Sequence, residues 1–134
     1  MSQRKSELEF VDLDSALAAH VAYFGRELEC DRNLLGSAVA APATAYAYGN
    51  QTDLFELAAI YACRISQAHS FADGNKRTAL LVAIGFLEAN GIDTSHYSQK
   101  DLVDWLVEVA EKKIDQNGFA RRLRCASGLA AIVE

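Results

Sequence analysis

Between Leu54 and Ile65 the apolar positions Leu54, Ala58, Tyr61 and Ile65 recur every three or four residues. That spacing predicts an amphipathic helix. From Ala79 to Leu87 the chain is almost entirely apolar, so a second helix is predicted there, buried on most sides. The two predicted core helices hold between them a short polar stretch, His69-Ser-Phe-Ala-Asp-Gly-Asn-Lys-Arg-Thr78. Functional groups this dense, clamped at both ends by core elements, mark the place for chemistry.

The remaining pattern fills in the bundle. A first helix is predicted from about Asp12 to Phe24, with Leu13, Leu17, His20 and Phe24 on one face and Gly25 ending it. His20 reads as a packed or edge histidine rather than a ligand. Asp31 to Ala41 predicts a short second helix stopped around Pro42. Thr44 to Asn50 then reads as a tyrosine-bearing loop or strand-like flap carrying Tyr46 and Tyr48. Asp53 caps the helix that delivers His69, and the helix from Asn75 to Asn90 closes at Gly91. Ser98-Gln-Lys-Asp101 resembles a capping box with Asp in place of Glu, and opens a helix to about Lys113. Leu102, Leu106 and Val109 supply its buried stripe, extended by Trp105. A last helix is predicted from about Asn117 to Cys125, where Arg121, Arg122 and Arg124 read as a solvated face in preference to a basic docking patch.

Composition agrees with this pattern. A chain of 134 residues with 51% hydrophobic positions and one proline fits a single all-α domain with a substantial core. Residues 1–9 read as a loose N-terminus, 10–126 as the domain and 127–134 as a C-terminal tail. No apolar run reaches the ~18 residues of a membrane span, and the polar N-terminus does not read as a signal peptide. Cys30, Cys63 and Cys125 are odd in number and lack metal-ligand spacing, which suits reduced thiols in the cytoplasm. A net charge of -5 argues against nucleic acid as the main partner. A helix-turn-helix reading of the 60–90 region fails because its recognition helix would be apolar.

The polar stretch supports two readings at each position. Asp73 and Asn75 are both good N-cap residues, and Gly74 permits a tight turn. The first-turn amides of the following helix lack intrahelical acceptors, and the helix dipole adds positive charge. Lys76 and Arg77 place two cations at the end where the dipole opposes them. Together these describe a phosphate cradle, the alternative being a solvated basic turn. His69 is either a helix-end residue complementing the dipole or a proton acceptor near neutral pH. Asp73 is either a cap or a Mg²⁺ carboxylate beside phosphates. Phe71 pins the loop to the core. Base, metal carboxylate and phosphate cations are the set that phosphoryl-type transfer requires.

His69-Ser-Phe-Ala-Asp-Gly-Asn-Lys-Arg-Thr-Ala79 resembles the signature of the Fic/Doc family, and closely that of its death-on-curing (Doc) toxin branch, which reads His-x-Phe-x-Asp-x-Asn-Lys-Arg. Leu34 to Ala38, Thr52 to Glu56 and Phe86 to Gly91 also look like family segments. The resemblance implies a Fic/Doc-like bundle of about six helices with a central buried helix pair and a short flap, Tyr46 and Tyr48 helping to hold the target there. It implies ATP or another nucleoside triphosphate as co-substrate, its phosphates on Gly74, Asn75, Lys76 and Arg77, with Mg²⁺ bridging them to Asp73. His69 would accept the proton of a target hydroxyl, with Asp73 and Arg77 completing the catalytic set.

Most of the wider Fic family has a glycine where this chain has Lys76, and a further arginine at the position of Leu80; those enzymes transfer AMP. Doc-like enzymes share both departures and are thought to transfer the γ-phosphate, which puts a kinase ahead of an adenylyltransferase. Gly74 leans toward the AMP-transferring branch. A binding-only pseudoenzyme is the remaining alternative, disfavoured by the intact His69, Asp73, Lys76 and Arg77. The family precedent for the target is a threonine of elongation factor Tu, whose phosphorylation stops translation. Self-inhibited relatives carry a Ser/Thr-x-x-x-Glu-Gly/Asn helix. Thr52 and Glu56 have that spacing, but Leu57 follows. The resemblance therefore implies inhibition in trans, by a Phd-like antitoxin whose disordered tail folds on this surface.

Overall fold

The computed structural model describes residues 8–128. Its described residues form six helices: α1 (Leu13–Phe24), α2 (Arg32–Gly49), α3 (Leu54–Ala68), α4 (Asn75–Ala89), α5 (Gln99–Ala110) and α6 (Gln116–Ser127). The domain is all-α, as the pattern predicts. The predicted central pair is α3 and α4, which pack along each other, while α2, α5 and α6 close around α3 and α1 lies across α4 and α2. The core is built on Tyr61, Phe86, Phe119, Leu35, Leu57 and Ile65, all fully buried.

The balance within the pair differs from expectation. The helix read as amphipathic, α3, is buried nearly all round from Phe55 to Ser66. Ala58, Ala59 and Ala62 are small enough to let neighbouring helices approach on every side. By contrast, α4 leaves Leu81, Ile84 and Gly85 partly open. Burial of Ala79, Leu80, Val82, Ala83, Phe86 and Leu87 ties α4 into the core, which does not suit a recognition helix.

Pro42 does not stop α2. The helix runs on to Gly49, with Asn50 capping it in the left-handed region. An interior proline costs roughly 3 kcal/mol through its missing N–H and its clash with the preceding turn. Burial of Leu35, Ala38, Val39 and Pro42 itself along one face offsets that cost. Residues 44–49 are consequently helical, not a flap. Tyr46 packs on Phe10 at 5.5 Å between ring centroids, and Tyr48 stands 86% exposed in solvent. Strand-like pairing lies elsewhere: Cys30 forms an isolated antiparallel bridge with Phe71, and the Asp31 amide donates to the Ser70 carbonyl at 2.8 Å.

The ends are tighter than expected. Residues 1–7 of the predicted loose terminus lie outside the described residues, but Glu9 is held by the Asn90 carboxamide, which accepts from its amide and donates to its carbonyl, both at 2.9 Å. Tyr61 likewise ties down Val11, its hydroxyl accepting from the amide at 2.8 Å and donating to the carbonyl at 3.3 Å. At the other end Ser127 belongs to α6 and Gly128 caps it, and residues 129–134 of the predicted tail lie outside the described ones.

Helix α5 ends at Ala110, short of Lys113, because the chain turns at Lys112 in the left-handed region to bring Asp115 onto the first turn of α6. Its Ser98 hydroxyl accepts from the Asp101 amide, half of the predicted box. Trp105 sets its ring edge-on to Phe119. The α6 arginines are tied inward more than the solvated-face reading expects. Arg122 pairs with Glu108 at 3.1 Å, and Arg124 pairs with Asp53 and lies over the Phe55 ring at 4.8 Å; Arg121 is exposed. All three cysteines carry free thiols, and no described helix is long and apolar enough to cross a membrane.

Candidate active site

Helix α3 ends by handing His69 a left-handed backbone, φ 53 and ψ 44, which few residues other than glycine adopt. That cap turns the chain out of the core and leaves His69 exposed. The next two residues go back in. Ser70 is buried, and Phe71 is buried with its ring stacked on His20, 3.7 Å between centroids and 7° from parallel. Phe71 is thus held through its side chain against α1, and the bridge to Cys30 holds its backbone as well.

The start of α4 departs from the capping expectation. Neither Asp73 nor Asn75 caps it. The N-cap residue is Gly74, at φ 83, and no side chain accepts from the first turn. The other five helices are each capped by an Asp or Ser side chain: Asp12, Asp31, Asp53, Ser98 and Asp115. Asp73 instead accepts the Gly74 amide on Oδ1 at 2.9 Å and remains exposed. Asn75 folds its carboxamide back onto Phe71, Nδ2 donating to the carbonyl at 2.8 Å and Oδ1 accepting the amide at 3.0 Å. That pair closes the loop, so what Asn75 offers an anion is its backbone N–H. Uncapped amides at a helix start, at the positive end of the helix dipole, favour negative charge.

Charge at this end comes from the side chains that follow. Lys76 is exposed, while Arg77 lies over the Tyr23 ring at 5.1 Å with its Nη1 buried and unpartnered. A cleft of about 450 Å³ joins His69, Asp73, Gly74, Asn75, Lys76 and Arg77, walled by Tyr23, Phe24, Ser66 and Val103. His69 also lines a second hollow of about 380 Å³ with Glu29, Cys30, Asp31, Ser70 and Phe71. The histidine therefore stands between a cation-lined cleft and an open groove. The structure does not bring Tyr46 or Tyr48 to either.

Three contributors escaped the sequence reading. Tyr23 and Phe24 wall the cleft, and His20, read as a packing residue, sits directly behind the loop. Burial holds the His20 imidazole below its ordinary pKa, partly opposed by the Asp73 carboxylate. The i, i+4 spacing of His20 and Phe24 was visible, but only the crossing of α1 over α4 puts both against Gly74. A Cβ at Gly74 would lie 2.3 Å from Phe24 Cζ and 3.2 Å from His20 Cε1, so the glycine is required for packing as well as for its backbone.

Among the described residues no group of three or more His, Cys, Asp or Glu could hold a metal ion unaided. A lone exposed carboxylate beside an anion site suits Mg²⁺, which takes most of its ligands from water and phosphate. Glu56 sits in the first turn of α3, and residues 57–68 of that helix, rising ~1.5 Å each, separate it from His69, beyond its reach.

An exposed histidine closing one core helix and the uncapped, cation-flanked start of the next share one cleft of this all-α domain. A family model described as the Fic/DOC family matches residues 7–87. The chain is 35% identical over 129 residues to the protein named Toxin Doc of Mycolicibacterium smegmatis, covering 94% of this chain and 97% of that one. It is 39% identical over 84 residues to Protein kinase doc of Escherichia phage P1, covering 63% of this chain and 65% of the phage protein. The chain belongs to the Fic/DOC family.

Proposed function

We propose that the protein is the toxin of a toxin–antitoxin pair and acts as a protein-modifying phosphotransferase. It moves the γ-phosphoryl group of ATP, or of another nucleoside triphosphate, to a serine or threonine hydroxyl of a target protein. The observation that carries this reading is the shared cleft: His69 opens onto the same space as the uncapped α4 start with Lys76 and Arg77. The triphosphate lies against the amides of residues 75–77 and the two cations, and Asp73 is the residue that would hold Mg²⁺, which would neutralise phosphate charge there. The target hydroxyl enters from the groove beside Cys30 and Phe71. His69 takes its proton as the hydroxyl oxygen bonds to the γ-phosphorus and the bridging oxygen leaves with the nucleoside diphosphate. Proton transfer of this kind contributes roughly 10²- to 10⁴-fold.

Two features support phosphoryl over AMP transfer. Leu80, where AMP-transferring relatives carry an arginine, is 4% exposed and offers the cleft no charge. Gly74, which leaned the other way in the sequence, has a packing reason of its own beneath Phe24. A relative named Protein kinase doc points in the same direction. By resemblance the target is elongation factor Tu, in the cytoplasm, and the partner is a Phd-like antitoxin. With Glu56 remote from the cleft, inhibition in trans is the regulation that remains.

The reading is tested with protein, Mg²⁺ and cell lysate supplied with ATP labelled at the α- or the γ-phosphate. Label entering protein from the γ position alone supports the kinase. Entry from the α position replaces it with nucleotidyl transfer, and no entry from either leaves a binding-only protein. Expression without an antitoxin is expected to arrest growth. Harmless overexpression would remove the toxin role.

A further inference from the structure

His20 is fully buried at 1% exposure, and beyond Phe24 of its own helix, 4.6 Å between ring centroids, it meets the loop and the first turn of α4. Its ring lies flat on Phe71, the residue that anchors the loop. Its Cε1 occupies the space beneath Gly74, the residue that begins the helix. Its Nδ1 is 2.6 Å from the Thr78 hydroxyl, and Thr78 makes the first hydrogen bond of α4, its amide donating to the Gly74 carbonyl at 2.9 Å. These contacts fall on both sides of Asp73, Lys76 and Arg77, so the imidazole sets the spacing between the metal carboxylate and the uncapped amides. Nε2, the other ring nitrogen, is buried without a partner. An orphaned polar atom in a core is costly and rare in a finished structure.

We propose that His20 is a positioning residue of this site, a neutral imidazole that braces residues 71–78 from behind and whose Nε2 acquires its hydrogen bond when Mg–nucleotide fills the cleft. In this proposal the Thr78 hydroxyl donates to Nδ1, so the ring proton resides on Nε2, which then needs an acceptor. Asp73 is the charged group that acts on the ring, and it is also the residue Mg²⁺ would draw into a fixed position. Loading the cleft and satisfying His20 are one rearrangement. This inference rests on the nucleotide-cleft reading above.

The test is imidazole ¹⁵N spectroscopy of the full chain with and without Mg²⁺ and a non-hydrolysable ATP analogue. His20 is distinguished from His69 and His96 by its burial and by its loss in H20N. The Nε2 resonance is expected to carry the proton and to move into the hydrogen-bonded range on loading. H20N retains a polar atom near Nδ1 and lacks one at Nε2, so it should bind the analogue about tenfold more weakly, the equivalent of one hydrogen bond. H20Q places its amide near Nε2 and should recover most of that loss. An Nε2 signal that stays still while the amides of residues 73–77 shift overturns the proposal, as does H20N binding with wild-type affinity. If no signal anywhere responds to the analogue, the nucleotide reading fails and this inference with it. The wild-type spectrum decides the matter even if a variant does not fold.

Discussion

The two ends of α3 are made from similar residue types and are finished in opposite ways. At its start, Asp53 accepts the amides of Phe55 and Glu56 on one oxygen and pairs with Arg124 through the other. Its own amide is held by Gln51, and Arg124 covers Phe55. Among the described residues, no buried side-chain polar atom of that cluster lacks a partner. At the far end His69 is pushed out on a left-handed backbone and the facing helix begins uncapped. Among the described residues, the buried side-chain atoms without a partner are His20 Nε2, Ser70 Oγ and Arg77 Nη1, all at this end. One end has spent its polar groups on stability, and the other holds them in reserve. Unsatisfied groups and left-handed backbone conformations are thus gathered at the end of α3 that carries the proposed site.

Four experiments break or sharpen that contrast. The largest effect is expected for His69→Ala, which should reduce transfer of labelled phosphate by roughly 10²- to 10⁴-fold while leaving nucleotide affinity nearly unchanged, because the ring serves the hydroxyl and not the phosphates. Equal loss of binding would place His69 in the cradle instead. Gly74→Ala comes next. It forces a side chain into the left-handed region and against Phe24, at a combined cost of roughly 2–4 kcal/mol. A lowered melting midpoint and weakened nucleotide binding should appear together, and a fully stable variant would contradict the packing described here.

Asp53→Ala attacks the closed end. Losing the cap should cost about 1–2 kcal/mol in denaturant unfolding, with little added by the partly exposed Arg124 pair. Transfer activity per folded molecule should remain at the wild-type level; a drop would mean the two ends are coupled through α3. The smallest effect is kinetic. Burial pushes the Cys63 thiol up to about 11, and it also raises that of Cys30, while Cys125 is exposed. Alkylation at mildly alkaline pH should therefore modify Cys125 first, Cys30 more slowly and Cys63 only on global unfolding. Because Cys30 pairs with Phe71, bound Mg–nucleotide should slow its labelling further, and an unchanged rate would show that loading does not steady the loop edge.

Local signals carried the sequence reading furthest where one residue's own chemistry decides the structure. Asp53 and Ser98 cap the helices they were expected to cap, and Gly25 ends α1 in the left-handed region. The reading failed where packing outweighs propensity. Pro42 is a helix breaker in isolation, but a buried face carries α2 through it, and the tyrosine segment expected over the site became helix. Asp73 and Asn75 have the composition of caps, yet their side chains turn to the loop itself, which leaves the α4 amides bare.

The linear chain was enough to establish an all-α bundle around a polar stretch carrying a base, a carboxylate and two cations, since helix periodicity and residue chemistry are properties of neighbours in sequence. That His69 faces outward, that α4 starts uncapped and that His20 lies behind the loop were settled only by the crossing of α1, α3 and α4. Those facts depend on which distant side chains compete for the same space and the same hydrogen bonds, and neighbouring residues alone carry no record of that competition.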